Sequence, residues 1–454
     1  MCSASLQPAS RHVRRRRRPS AWIALVSAWL SLGAPAQAVL TLDEALRVAQ
    51  ARSGKLLAQD AAATAAREMA LAAGQRPDPT LKVGVNNLPI TGPDRFSLTR
   101  DFMTMRSVGV MQEFTRSDKL GARSARFERE AEAADAARAL ALATLRRDTA
   151  TAWLDRHYQE RMRDVLRAQR TEAGLQTDAA DAAYRGGRGA QADVFAARSA
   201  AALIDDRLRQ AEQQIASAKT RLARWVGDDA NQALGAAPVI AAVQFDAATI
   251  ESQMAHHPEN AMMARQEAMA RADADIAQRN QRADWSVELM FSQRGPAYSN
   301  MVSINLSIPL QLAQPDRQDR ELAAKLALVE QVRAQREDAT QAHLAEARVW
   351  LQEWQSNRER LSHYDSTLAP LAAQRTQAAV AGYRGGGVPL SAVLDARRSE
   401  IDTALDRLRL ELETALRWAQ LEYLIPPATA ATSATSATAT AATAAARSTA
   451  SPAP

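Results

Sequence analysis

The most regular apolar pattern in the chain is Val302-Ser303-Ile304-Asn305-Leu306-Ser307-Ile308, in which large aliphatic residues alternate strictly with Ser and Asn. A period of two places Val, Ile and Leu on one face of a strand and the polar residues on the other. Weaker alternation at Leu81 to Val85, Val108 to Phe114 and Val287 to Phe291 predicts three further strands. The four fall into two strand hairpins, within 79–114 and 284–311. Each strand is near the length that crosses a bilayer at a tilt, about 9 to 11 residues.

Elsewhere the apolar spacing is helical. Leu344, Leu351, Trp354, Leu361 and Leu368 recur at seven- and three-residue steps, as a coiled-coil seam requires, and alanine fills much of the remainder. Helices are predicted over 41–75, 116–183 and 190–226, then over 248–281, 315–382 and 388–425. Thr41, Ser117 and Pro315 are expected helix starts, and Pro426-Pro427 an expected stop. At 1.5 Å per residue the two longest helices would each extend about 100 Å, more than a compact domain can hold.

These elements occur twice in the same order. Tyr184-Arg185-Gly186-Gly187 returns as Tyr383-Arg384-Gly385-Gly386, 199 positions on. Arg76-Pro77-Asp78, before the first strand hairpin, returns as Arg282-Ala283-Asp284, 206 positions on. Two structural repeats are therefore expected, 39–240 and 241–427. Within each, the glycines of the turn, Gly186, Gly187 and Gly189 or Gly385 to Gly387, allow positive φ where two antiparallel helices reverse. Beyond the turns the copies diverge: the first continues Gln191-Ala192-Asp193, the second Ser391-Ala392-Val393-Leu394-Asp395.

The two ends change the reading of charge. Arg14 to Arg18, the apolar Ala21 to Leu32 and Ala36-Gln37-Ala38 have the order of a cleavable secretory signal, so residues 1–38 are expected to be removed. That segment carries six arginines and no acidic residue. Its loss brings Lys+Arg from 57 to 51, equal to the 51 Asp+Glu. A neutral mature chain gives no support to a nucleic-acid partner. The only cysteine, Cys2, leaves with the signal, so neither disulfide nor thiolate chemistry remains. Residues 428–454 are almost wholly Ala, Thr and Ser and read as a disordered tail.

No later segment is an apolar helix long enough to cross a membrane, so a membrane protein of this sequence would span as a barrel. Four strands fall short of the smallest closed barrel, about eight, and three chains would supply twelve. The six histidines show no metal-ligand spacing, His256-His257-Pro258 is placed at a solvent-exposed helix start, and no metal or cofactor is assigned. There is no nucleotide-binding loop or nucleophile elbow, so no enzymatic activity is expected.

With these features assembled, the chain resembles the TolC family of outer-membrane efflux proteins over residues 41–425. The carrying residues are Thr41-Leu42-Asp43-Glu44-Ala45-Leu46, Pro77-Asp78-Pro79, Ile308-Pro309-Leu310, and the two Tyr-Arg-Gly-Gly turns leading into Asp193-Val194 and Val393-Leu394-Asp395-Ala396. The stretch Pro77 to Phe114 looks most similar to members paired with heavy-metal exporters of the resistance-nodulation-division type. The resemblance implies a mainly α-helical protein with a small membrane β part, forming a long helical barrel and a 12-stranded β-barrel shared by a homotrimer. It further implies an outer-membrane location reaching into the periplasm, contact with outer-membrane lipid, a periplasmic adaptor and an inner-membrane pump as partners, and passive conduction of cargo.

The resemblance also implies a gate at the periplasmic tip, with Asp395 facing the lumen, Asp193 and Tyr383 forming a closing link, and Tyr184, Arg188 and Arg384 beside them. Ala392 departs from the family pattern, which often has a second aspartate there, and puts a double acidic ring in doubt. The plainer reading of Asp193 and Asp395 is a carboxylate in the first turn of each return helix, favoured by the helix dipole. Two other functions stay open: a soluble periplasmic coiled-coil adaptor or scaffold, and the outer-membrane duct of a protein secretion system. Cargo stays open among metal cations, organic drugs and polypeptides.

Overall fold

A computed structural model describes residues 39–243, 250–254 and 256–424. The export signal expected at 1–38, the tail at 428–454 and the stop at Pro426-Pro427 lie outside the described residues.

The first half runs β1 (Val39–Leu40), α1 (Leu42–Arg52), α2 (Gly54–Ala73), β2 (Thr80–Asn86), β3 (Met105–Phe114), α3 (Ser117–Arg185) and α4 (Gln191–Val226). Thr41 starts α1 as expected, its hydroxyl accepting from the Glu44 N–H at 3.2 Å. The single helix expected over 41–75 is divided at Ser53, which leaves the helical conformation. Its Oγ accepts from the Leu56 N–H and starts α2 anew. Ser117 is the first residue of α3, and Arg116 occupies the capping position.

A 3₁₀ turn at Gly227–Asn231 leads to β4 (Ala233–Leu234), then α5 (Ile250–Met254), α6 (Pro258–Asn280), β5 (Trp285–Gln293) and β6 (Met301–Ser307). The second long helix is interrupted, against expectation. It comprises α7 (Gln318–His363), a π turn (Tyr364–Leu368) and α8 (Ala369–Arg384), followed by α9 (Leu390–Glu422). Pro370, the second residue of α8, has no N–H to give the preceding turn and so favours the wider turn just before it. Pro315 lies in a 3₁₀ turn ahead of α7. In the predicted seam Leu344, Leu351 and Trp354 are buried, whereas Leu361, just before the π turn, and Leu368 within it are not.

α3 is the organising element, packed along its length by α2, α4, α6 and α9. Short residues allow this closeness, since Ala131, Ala141, Ala150 and Ala173 are all buried on it. Near its middle the fully buried Trp153 donates its indole N–H to the Leu40 carbonyl at 3.0 Å. One turn on, the buried Arg156 donates to the carbonyls of Ala230 (2.6 Å) and Gln232 (2.8 Å) and pairs with Glu160. These bonds hold the parallel pair β1–β4 against the helices. Trp354 of α7 repeats the arrangement, donating to the Ile240 carbonyl at 3.2 Å, and Trp418 of α9 donates to Ala242 at 3.1 Å. Indole donors thus satisfy carbonyls of segments too short to form their own ladders.

Replacing Trp153 with Ala is expected to lower stability by about 3–5 kcal/mol, the range for a large buried aromatic. Trp153→Phe keeps most of the packing and removes one of the two donors to the Leu40 carbonyl, which still accepts from the Gly235 N–H at 3.1 Å, an expected cost of about 0.5–1.5 kcal/mol. Denaturant unfolding of the purified protein in detergent, followed by tryptophan fluorescence and circular dichroism, gives both values.

Candidate functional site

Two regions at opposite ends of α3 carry the features expected of a site. At its start, β2, β3, β5 and β6 form one antiparallel sheet in the order β2-β3-β5-β6. The register aligns Val83, Val108, Phe291 and Val302 in one row across the strands and Leu81, Val110, Leu289 and Ile304 in the next. These eight side chains are between 44% and 76% exposed, so the apolar face is continuous and uncovered within the chain. Apart from Met290 and Met301 the opposite face is polar or small, with rows Lys82, Gly109, Met290, Ser303 and Gly84, Ser107, Ser292, Met301. On it Lys82 pairs with Glu288 at 3.0 Å, and Asn86 donates to Ser107 at 3.0 Å.

Aromatic side chains mark both ends of this face. Phe114 and Trp285 stack at the helical end, ring centroids 4.3 Å apart. Phe96, Phe102 and Tyr298 are exposed at the loop end. There the loops pack closely enough that a Cβ on Gly295 would overlap the Thr99 carbonyl oxygen. At the helical end Asp284, of the repeated Arg-X-Asp motif, accepts from the Arg116 N–H at 3.1 Å and pairs with the buried Lys119 at 2.9 Å. This fixes α3 to β5. The outer edges of β2 and β6 have no strand partner among the described residues.

At the far end of α3 the two helix turns match bond for bond. Gly186, Gly187 and Arg188 donate their N–H groups to the carbonyls of Ala182, Tyr184 and Ala183, and Gly385, Gly386 and Gly387 donate to Ala381, Tyr383 and Gly382, all at 2.9 to 3.0 Å. Only the second glycine of each turn needs the left-handed region, Gly187 at φ 69° and Gly386 at φ 71°. The turns touch through a small apolar cluster in which Ala180, Val194 and Ala197 meet Leu390 and Val393.

The expected gate residues are dispersed around this cluster. Tyr383 is half-buried against it, whereas Tyr184, Arg188 and Arg384 are exposed. Asp193 lies in the first turn of α4 and accepts from the Ala190 N–H at 3.2 Å, as the plainer reading expects. No hydrogen bond joins it to Tyr383 among the described residues. Asp395 departs from that reading: α9 begins at Leu390, so Asp395 is its sixth residue, beyond the first turn. It is exposed, without a hydrogen bond or ion pair among the described residues. Ala392 is the counterpart of Asp193, each donating its N–H to the capping residue's carbonyl at 3.1 Å. The capping residue is Ala190 in one copy and Pro389 in the other. Proline has no N–H to be satisfied, so an aspartate at 392 would have nothing to accept there.

One cluster escaped the sequence reading. His256 is exposed as expected, but the adjacent His257 is only 7% exposed, and burial pushes its imidazole pKa down to about 4, helped by His343 and Arg147. Ligand atoms of His257, Glu259 and His343 lie within 4.8 Å of one another. The signal available was His257-Pro258-Glu259 alone, since nothing local points to a third residue more than eighty positions away.

No family model matches the chain, and no curated protein matches it. Solved structures do. The structure of CusC, described with its folding and transmembrane channel formation, superposes with a TM-score of 0.71 at 17% identity, over 85% of this chain and 92% of that one. The outer membrane protein VceC of Vibrio cholerae gives 0.69 at 18% identity, over 84% and 95%. The CmeC outer membrane channel of Campylobacter jejuni gives 0.70 at 11% identity, over 84% and 85%. At such identities the likeness is one of fold. This chain has the mainly helical fold of the outer-membrane channels, with its small four-stranded sheet, which is the single-chain part of the fold that the resemblance implied.

Because an alanine in the left-handed region costs about 1–2 kcal/mol, Gly187→Ala and Gly386→Ala are each expected to destabilise by about that amount. Gly385→Ala, at φ −80° with no atom nearer than 3.5 Å to the added carbon, should stay within about 0.5 kcal/mol of the parent. Parallel thermal melts of the three variants give the comparison.

Proposed function

We propose that this chain is one protomer of a homotrimeric outer-membrane duct for efflux. The observation that carries the reading is the four-stranded sheet with one continuous apolar face and two open edges. Three such sheets, joined edge to edge, make a twelve-stranded barrel with the apolar rows toward lipid and the Lys82, Glu288 and Ser303 face toward a wet lumen. Phe114 and Trp285 fit one membrane interface, Phe96, Phe102 and Tyr298 the other. The named structural neighbours are outer-membrane channels, which supports the same location.

In this reading the two repeats, 39–240 and 241–427, each contribute a strand hairpin to the barrel and a helical hairpin to a periplasmic tunnel. Cargo enters from an inner-membrane pump of the resistance-nodulation-division type through a periplasmic adaptor and passes unaltered, heavy-metal cations being the leading candidate. The gate is at the turns. Asp395, free of local partners and outside the first turn of α9, is the candidate lumen-facing carboxylate, and Asp193 and Tyr383 are available to neighbouring chains. A soluble scaffold would leave eight large apolar side chains in water.

Ile304→Lys, in a middle row of the apolar face, is expected to lose about 2–4 kcal/mol of barrel stability, the cost of lysine near the bilayer midplane. Asn305→Lys, on the opposite face, should assemble normally. Yield of the trimer from outer-membrane fractions in mild-detergent electrophoresis distinguishes them, and equal yields would remove the lipid-facing assignment. For the gate, Asp395→Ala should weaken single-channel block by trivalent cations, and unchanged block would remove the acidic ring.

A further inference from the structure

Where α5 meets α6, a group of side chains is arranged in a way that an ordinary ion pair does not account for. Asn260, 7% exposed, donates its amide N–H to the Met254 carbonyl at 3.0 Å, which turns its Oδ1 toward His343. That oxygen can only accept, so the His343 Nδ1 at 3.3 Å carries the proton of this hydrogen bond. The other nitrogen, Nε2, then faces Glu259 Oε2 at 3.1 Å. A lone pair against a carboxylate oxygen at that distance needs a positive charge between them, either a second proton or a metal ion.

His257 favours the metal. Its ring lies 4.9 Å from that of His343, and its Nδ1 is buried without a hydrogen-bond partner among the described residues. A buried nitrogen left unpaired costs about 1–3 kcal/mol, and an unseen ion is among the ordinary reasons for one. A second proton on His343 would do nothing for it. Arg147, the cation that faces His257 from α3, has its charge matched by Asp148 at 2.9 Å.

We infer that His257, Glu259 and His343 form a binding site for a divalent first-row transition metal, with Zn²⁺ the best match. Two imidazoles and a carboxylate suit zinc, copper or nickel better than magnesium or calcium, and three protein ligands leave one position open. Bonds of 2.0–2.2 Å set the ligand atoms of a tetrahedral ion about 3.4 Å apart, so separations of up to 4.8 Å close by about 1.4 Å at most and the His343–Glu259 pair at 3.1 Å opens slightly. Glu259, about one-third exposed, has room to move. Asn260 supplies the outer hydrogen bond that orients a metal-bound histidine. The ion would join the start of α6 to the middle of α7, and the inference rests on these side chains alone, independent of the channel reading.

The test uses untagged mature protein in detergent, freed of metal with a chelator and titrated with Zn²⁺ in a calorimeter, with thermal unfolding read alongside. One Zn²⁺ per chain and a raised unfolding temperature are expected. His343→Gln and Glu259→Gln should weaken binding at least 10-fold, while His256→Gln, on the exposed neighbour, should leave it unchanged. Co²⁺ should show the visible bands of a four- or five-coordinate ion in the parent and lose them in His343→Gln. Absence of stoichiometric binding, or equal binding in parent and His343→Gln protein, would overturn the site in favour of a doubly protonated His343 paired with Glu259.

Discussion

A strand edge cannot be left open in hydrocarbon. Each backbone N–H or C=O facing lipid without a partner costs several kcal/mol, and water is not there to help. The sheet described here has two such edges, on β2 and β6, and too few strands to bring them together. Its apolar rows disfavour water as the surroundings for one face, and in lipid its edges would be unpaired in a lone chain. In the proposed trimer each β2 edge meets a neighbour's β6. The rest of the fold is consistent with that demand: Asp284 locks β5 to the start of α3, so any arrangement of sheets around an axis carries the long helices with it.

Helices of this length bring a second difficulty, because a hairpin far longer than it is wide has little core per residue. The chain meets it with close alanine contacts and with a girdle at mid-length. Trp153, Trp354 and Trp418 each combine bulk with one donor, and the donors end on carbonyls of the opening strand 39–40 or of the segment 240–242 between the repeats. Arg156 does the same for 230–232. The connections between repeats thereby act as straps across the helices.

Much of this was legible in the sequence because it is periodic or repeated. The strands of 302–308 and the turn at Gly186-Gly187 announce themselves through alternation and glycine. What escaped was set by contacts distant in sequence or by elements too short to have a period. The pair β1–β4 is two residues per strand. The division at Ser53 rests on one hydroxyl, and the π turn on Pro370, a signal present in the sequence but outweighed by an uninterrupted helical pattern around it. The burial of His257 depends on α7 lying over it, which no local rule contains. Ala392, where the family pattern often has an aspartate, follows the capping Pro389, whose missing N–H leaves no local capping role for one.

The π turn in the second long helix adds to the differences between the two hairpins, whose sequences already diverge beyond the glycine turns. One residue's excess in a helix turns every later side chain by about 100° around the axis, and α3 has no such turn. The two hairpins therefore differ in helical phase relative to sequence below it, although their terminal glycine turns agree bond for bond. In the proposed trimer the six tips form two sets of three, and the ring they make has threefold but not sixfold rotational symmetry. A periplasmic partner seated on that ring must either use one set and bind three to the trimer, or bind six in two unlike poses.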